Sequence, residues 1–337
     1  MLAMNPISNG TSATPTPTMS ATPPQEPWSN HSKKKAPTGH VCLAYEPMRE
    51  PLGLLQKRFR NQTFPLPLLK AYIKILLMGL DYLHSECNII HTDNILVSFE
   101  NPSVIHDFAQ NTPTRPISYK SLDNHPIYRS HDDFGPLQSY RLVPMLSDFG
   151  SAVHQKDPSI RYTIPIQPDC YRAPEVILGA GYTFSADIWN LGVMIWELLE
   201  NRILFSHARD SNLKNHPNAH LAQMIAFLGP PPEDLIIRER ETRHQTWRIS
   251  LRNSEGKLAK SAMEWFGGPF FDDQGNFLYE DLIPRDQNLE DTITCLEGEE
   301  KSMFLAFARK MLKWIPEERG TAKELVEDPW LDLGGKL

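Results

Sequence analysis

Leu69, Tyr72, Ile73, Leu76, Leu80 and Leu83 recur at three- and four-residue spacing, which predicts an amphipathic helix from about Leu66 to Ser85. At 1.5 Å per residue it would be about 30 Å long. Upstream, "HVCLAYEPM", bounded by Gly39 and Pro47, suits a buried strand leading into a connector. Downstream, "CNIIHTDNILVSFE" reads as short extended pieces around a turn. Residues 100–140 are polar and rich in Pro, Asn and Asp without lasting periodicity, the pattern of an inserted surface segment. Order resumes at "YRLVPMLSDFG". The next long element, "SADIWNLGVMIWELLENRILF", has Ser185 placed as an N-cap and Asp187 in the first turn. Its apolar residues occupy every side, so this helix belongs at the centre of a large helical domain. Further helices are expected near Leu221–Leu228, Lys301–Leu312 and Thr321–Glu327.

Composition separates a tail from a folded body. The 337 residues are 40% apolar and 22% charged, ordinary for a folded domain. Residues 1–39, rich in Pro, Ser and Thr, lack the apolar surface needed to offset the entropy of ordering, so a disordered tail is expected, followed by one domain over 40–335. Lys33–Lys35 read as a solvated charge run rather than a nuclear address. The four cysteines are scattered, with no C-x-x-C pair or zinc-like cluster, which suggests reduced thiols. No secretory leader is recognisable, and the greasiest segment is interrupted by Lys74 and Asp81. Secretion and membrane insertion are therefore not expected, which leaves the cytoplasm, the nucleus or both. The net charge of −7 argues against direct nucleic-acid binding and is compatible with a basic protein partner.

Four signatures follow one another along the chain: "HTD" with "NILV" directly behind it, "LSDFGSA" at 146–152, "YRAPEVILG" at 171–179 and "DIWNLGVMIWELL" at 187–199. Singly each has a bland reading: Asp148 as a turn residue before Gly150, Tyr45 and Leu96 as core, Asp187 as a helix-start charge. A second D-F-G, Asp133-Phe134-Gly135, lies in polar sequence inside the insert and is a chance match. In this order the four motifs, with "WIPEERGTAKELVEDPWL" near the end, resemble the C-terminal lobe of eukaryotic protein kinases over about residues 41–333. Thr92, where most kinases carry arginine, together with the long insert, resembles the SR-protein kinases and their fungal relatives. "HLAQMIAFLGPPP" at 220–232 agrees.

The resemblance implies a mainly α fold: a large lobe with a few short strands, preceded by the tail, with the small β-rich lobe largely missing. It implies transfer of the ATP γ-phosphate to protein serine or threonine, with ATP and Mg²⁺ as cofactors and Arg/Ser-rich splicing factors among the protein substrates. Asp281, Asp286, Glu290 and Asp291 are candidates for an acidic groove holding them, against the plainer reading of a solvated acidic face. By the same resemblance, Asp148 and Asn94 are metal ligands, Glu46 and Met48 offer backbone groups to adenine, Tyr45 guards the pocket behind them and Leu96 lies beneath the ring. His91 and Asp187 are structural, and Arg319 pairs with Glu175. The threonine at 92 implies activity without an arginine that clamps a phosphorylated loop.

Two departures stand out. Family members separate the catalytic aspartate from the metal-binding asparagine by four residues, one of them a lysine, whereas Asp93 and Asn94 are adjacent. If the lost spacer followed Asp93, that residue is the catalytic base; if it preceded Asp93, the residue is the acidic neighbour of the asparagine. Neighbouring residues lie about 3.8 Å apart at Cα, too close for one to aim at substrate and the other at metal. The second departure is that no G-x-G-x-x-G-x-V or V-A-I-K segment is found, and Pro/Ser/Thr-rich sequence stands in its place. Impaired or absent turnover is therefore expected of this chain, with a non-catalytic partner-binding lobe as the alternative to an enzyme.

Overall fold

The computed structural model describes residues 45–91, 94–111, 117–122, 125–129, 134–157, 159–208, 216–253 and 255–333. The chain divides into two units, 1–47 and 48–337. Of the first, only Tyr45–Pro47 are described, exposed and without regular structure. The strand expected over 41–47 is thus not found at Tyr45–Pro47, and the rest of it lies outside the described residues.

The second unit opens with strand β1 (Glu50–Pro51) and helix α1 (Leu52–Gln56). Helix α2 (Leu66–Ser85) has the bounds that its periodicity predicts, because prolines at its entry suit a first turn whose N–H groups lack partners anyway. It buries Leu69, Tyr72, Ile73, Leu76, Leu77, Leu80 and Leu83. Each such side chain contributes about 1.5–3 kcal/mol of transfer free energy. Two short strands follow, β2 (Ile89–Ile90) and β3 (Ile95–Val97).

The segment from 100 to 140 is more structured than its polar sequence suggests. It forms helix α3 (Pro102–Asn111) and an exposed hairpin of β4 (Tyr119–Leu122) and β5 (His125–Tyr128). The helix was not legible because only Val104 of its residues is buried, and Phe108 instead packs on Phe134, itself edge-on to Phe99. The insert is tied down by a buried ion cluster. Arg49 donates to both carboxylate oxygens of Glu100 at 3.0 Å and to the Gly135 carbonyl at 2.6 Å, while Arg58 grips Glu50 at 2.7 Å through two nitrogens.

Strand β6 (Pro144–Leu146) pairs with β3, which pairs with β1 in a three-stranded sheet; β7 (Val153–His154) pairs with β2. The helical body continues with α4 (Pro174–Ile177), α5 (Ser185–Glu200), α6 (Pro217–Leu228) and α7 (Glu233–Thr242). A small hairpin, β8 (Leu251–Arg252) with β9 (Leu258–Ala259), precedes α8 (Ala262–Phe266), α9 (Gly298–Met311) and α10 (Ala322–Val326).

Helix α5 is the axis of the core, with Ile188, Trp189, Val193, Ile195 and Trp196 all buried. Gly192 lets α9 come close: a Cβ there would lie 3.1 Å from side-chain atoms of Met311 and Leu312. Ser185 does not cap α5. Phe184 holds the N-cap position in helical geometry, and the Ser185 hydroxyl is buried without a partner. A working cap exists at α10, where Thr321 and Glu324 bond each other's backbone N–H groups as a capping box.

Candidate functional site

Asp187, in the first turn of α5, is nearly sealed from solvent, and one of its oxygens serves two elements at once. Oδ2 accepts from the His91 backbone N–H at 2.9 Å and lies 2.8 Å from His84 Nε2 on α2. Asp187 is therefore more than a helix-start charge: it fixes the exit of β2 to the core. His91 passes the constraint on, its Nε2 lying 2.7 Å from the Ser147 carbonyl, so that nitrogen carries the proton. Burial pushes the Asp187 carboxyl up from its ordinary range, with the two histidines pulling the other way.

The β3–β6 register sets Ile95 opposite Leu146, so Asn94 and Ser147 face each other at the open end of the pair. The Asn94 carbonyl accepts from the Ser147 amide at 2.9 Å and from its hydroxyl at 3.0 Å. Next to them, Asn94 Nδ2 reaches Asp148 Oδ2 at 3.4 Å. Both residues adopt left-handed backbone conformations, φ 64° at Asn94 and 57° at Asp148, which Asn and Asp tolerate better than other side chains. The other Asp148 oxygen accepts from the Gly150 amide at 3.3 Å. Asn94 and Asp148 are thus brought together, both exposed, on a base supplied by Ser147, His91 and Asp187. Asp93 and Thr92 lie outside the described residues.

Leu96, on β3 and two residues beyond Asn94, lines a cavity of about 270 Å³ together with His91, Asn94, Asp187, Leu76 and Met194. Met48 is half-buried in the second unit, and Glu46 and Tyr45 are exposed in the first.

Glu175 and Arg319 form a fully buried two-pronged ion pair. Arg319 donates to both Glu175 oxygens at 2.7 and 2.6 Å, both side chains being fully buried. The guanidinium also donates to the Ser185 carbonyl at 3.0 Å and the Lys313 carbonyl at 2.9 Å and sits 5.0 Å over the Trp189 ring. It thereby ties the segment after α9 to the start of α5, two residues from Asp187. Of the acidic candidates, Asp286 and Asp291 line a second cavity of about 720 Å³ with Arg202 and Phe227, Glu290 pairs with Arg309, and Asp281 is exposed in a 3-10 turn.

Sequence reasoning missed His84 and Ser147, and with them the Arg49–Glu100 cluster. His84 carries a weak signal as the one basic residue in the last turn of α2, but its partner is 103 residues away. Ser147 acts through its amide and carbonyl, with its hydroxyl only doubling the bond to Asn94, and carries none. Among the described residues no group of three or more His, Cys, Asp or Glu side chains is arranged to hold a metal, and no helix is long and apolar enough to cross a membrane.

A family model described as protein kinase domain matches residues 137–331. A serine/threonine protein kinase of Aspergillus fumigatus is 38% identical over 309 residues, covering 88% of this chain and 66% of that protein. Serine/threonine-protein kinase SRPK of Physarum polycephalum is 28% identical over 317 residues, covering 87% and 67%. The chain thus spans about two thirds of the length of these relatives. A kinase domain solved by crystallography superposes with a TM-score of 0.53 at 24% identity, over 85% of this chain and 72% of that one, and so shares its fold.

Proposed function

The chain belongs to the protein kinase domain family, and from that premise we propose that it is the large lobe of a serine/threonine kinase of the SR-protein kinase type. The reaction of that lobe is transfer of the ATP γ-phosphate to serine or threonine of Arg/Ser-rich proteins in the cytoplasm or nucleus. The reading takes 40–335 as the kinase domain and assigns the small lobe no counterpart in the sequence. It rests above all on the approach of Asn94 to Asp148, 3.4 Å apart on one face beside the Leu96 cavity. Two exposed oxygen-bearing side chains suit a hard cation, and a half-turn of the Asn94 amide presents Oδ1 in place of Nδ2. These two residues would hold Mg²⁺, which when bound neutralises charge on the phosphates. Leu96 would lie under adenine, with Met48 and Glu46 offering backbone groups. His91, Asp187, Glu175 and Arg319 position rather than react.

A second reading concerns turnover, and the loop favours it. The Asn94 carbonyl is fixed by two bonds from Ser147, and Asp93 directly precedes it in the sequence. Asp93, the assigned catalytic base, then has no spacer with which to reach a substrate hydroxyl. General acid–base help is worth about 10²–10⁴-fold, and the absent phosphate-binding lysine costs more. This chain is therefore a partner-binding lobe with background turnover. Asp286 and Asp291 supply an acidic wall for basic peptides.

The test is radiolabelled ATP with Mg²⁺ and an Arg/Ser-repeat peptide. The expected result is no incorporation above a blank and no rise in melting temperature with nucleotide, together with peptide binding that weakens with salt. Robust incorporation overturns the inert reading, and a salt-independent or absent peptide association overturns the partner assignment.

A further inference from the structure

Helix α2 packs its inner sides on α5, α10 and β6, and its outer side carries apolar residues that the described fold leaves open. Ile75, Met78 and Tyr82 are 36, 44 and 40% exposed, at positions where a surface helix is ordinarily polar. Their spacing of three and four residues places them on one stripe, which the small side chains of Ala71 and Ser85 continue at either end. Single exposed apolar residues are common, whereas a contiguous stripe on one element marks a contact surface.

The stripe has two unlike flanks. On one, Gly79 runs against the sheet: a Cβ there would lie 3.4 Å from a Leu146 side-chain atom, and Tyr72 on the same flank is buried. On the other, Lys74 and Asp81 stand half-buried about two turns apart, and neither belongs to an ion pair among the described residues. Written as a heptad, Ile75 and Tyr82 take position a, Ala71, Met78 and Ser85 position d, and Lys74 and Asp81 position g. In an antiparallel pair of identical helices a two-fold axis brings each g flank against the same flank of the other copy. Lys74 and Asp81 are equally far from the point between Leu77 and Met78, so an axis there sets Lys74 opposite Asp81 twice. The same crossing seats Ile75 at the level of Leu80 on the second copy, in the gap between Met78 and Tyr82. A parallel pair would set Lys74 against the covered Gly79 flank and forgo both ion pairs.

We propose that the outer face of α2 is a self-complementary docking surface whose occupant is a second copy of this chain, antiparallel across a two-fold axis, with Ile75, Met78 and Tyr82 interdigitating and Lys74 paired with Asp81 of the other copy. Both signs of charge stand on one flank at matching distances from its centre, so a second copy brings the counter-charges in register. Three apolar side chains and two exposed ion pairs make an interface smaller than the roughly 800 Å² per partner of stable complexes, so the dimer is weak, with a Kd of about 10–100 μM. None of these residues takes part in the phosphotransfer reading, so the two stand or fall separately.

The whole chain is measured by sedimentation equilibrium from about 1 to 500 μM, a range that brackets the expected affinity. A reversible monomer–dimer equilibrium is expected. Met78→Lys, which places like charges together beside the two-fold axis, should weaken it by more than about tenfold, with the circular dichroism spectrum retained because the position is exposed. Lys74→Glu and Asp81→Lys should each weaken it about 5–10-fold, because each turns two attractions into two repulsions. An equimolar mixture of the Lys74→Glu and Asp81→Lys chains should recover dimers at the original affinity, since every pair across the axis is then of opposite charge. Monomer throughout the range overturns the proposal and leaves the face to a different protein segment. A dimer that Met78→Lys leaves intact forms elsewhere and overturns it equally; a mixture no tighter than its components overturns the antiparallel register and the proposal with it.

Discussion

Two buried acidic side chains, Glu175 on α4 and Asp187 in the first turn of α5, are treated in opposite ways. Glu175 has both oxygens taken by one guanidinium, which spends two further donors on the Ser185 and Lys313 carbonyls. Asp187 has one oxygen crowded by two donors and the other unpaired beside a cavity. The first belongs to the anchor that closes the helical body, the second to the exit of β2 at His91. The same lobe thus fully pairs the carboxylate that holds its helices together and only half pairs the one at the exit of β2.

The anchor is where this contrast breaks most violently. Arg319→Ala leaves the Glu175 carboxylate buried and unpaired, and it frees the start of α5 from the segment after α9. The expected loss is about 3–5 kcal/mol, read from urea unfolding midpoints at constant m. A loss under about 1 kcal/mol would mean that the site relaxes open to water, and the anchor would lose its standing.

A similar penalty is expected at Arg49, which shows that the loop side is not deficient throughout. Its guanidinium neutralises Glu100 and holds the Gly135 carbonyl, joining the strand before α1 to the exit of the insert. Arg49→Ala should cost about 3 kcal/mol, at the low end of the range for a buried pair, because Glu100 keeps the Gln138 amide at 3.1 Å. Proteolysis within 100–140 should accelerate in parallel.

Gln167 gives the anchor's neutral counterpart. Its amide nitrogen donates to the Ala186 carbonyl at 2.7 Å and its oxygen accepts from the Ala173 amide at 2.8 Å, bridging the approach to α4 and the start of α5. Gln167→Leu keeps the volume but strands two buried backbone groups, for about 1–3 kcal/mol in the same urea assay.

How much of this was legible follows from the range of each interaction. Helix α2 could be bounded by its residues alone, because apolar spacing and flanking prolines are local signals. Helix α5 announced its central place by carrying tryptophans and branched residues on all sides. The motifs around Asn94 and Asp148 were visible as words, and the strand register that lays them side by side follows from the apolar stretches behind each. What could not be read is set by partners far along the chain: Arg49 with Glu100, His84 with Asp187. Helix α3 hid in polar sequence because it buries so little. Ser185 misled because a capping side chain acts from a residue whose own backbone is still outside the helix, and here Phe184 before it is already helical, which puts Ser185 inside the first turn. The cavity is a volume, and no pattern of residues displays an emptiness.

The smallest effect tests the loop side directly. Asp187→Asn keeps an oxygen for the His91 amide and changes the volume little, so at neutral pH it should cost only about 1 kcal/mol despite the residue's burial. Its pH dependence carries the argument. Burial raises the folded carboxyl above its ordinary 3.8, so the folded chain holds this proton more tightly than the unfolded chain does. Between those two values the native state binds more protons than the unfolded one, and stability therefore falls as pH climbs through the window. Asparagine cannot titrate and lacks that slope. The stability lost on substitution should accordingly be greatest at acid pH and shrink as pH rises, as measured by urea midpoints from about pH 4 to 7.5. A cost that grows with pH would mean that the charged carboxylate is well satisfied where it sits, and the unpaired acceptor beside the cavity would no longer distinguish Asp187 from Glu175.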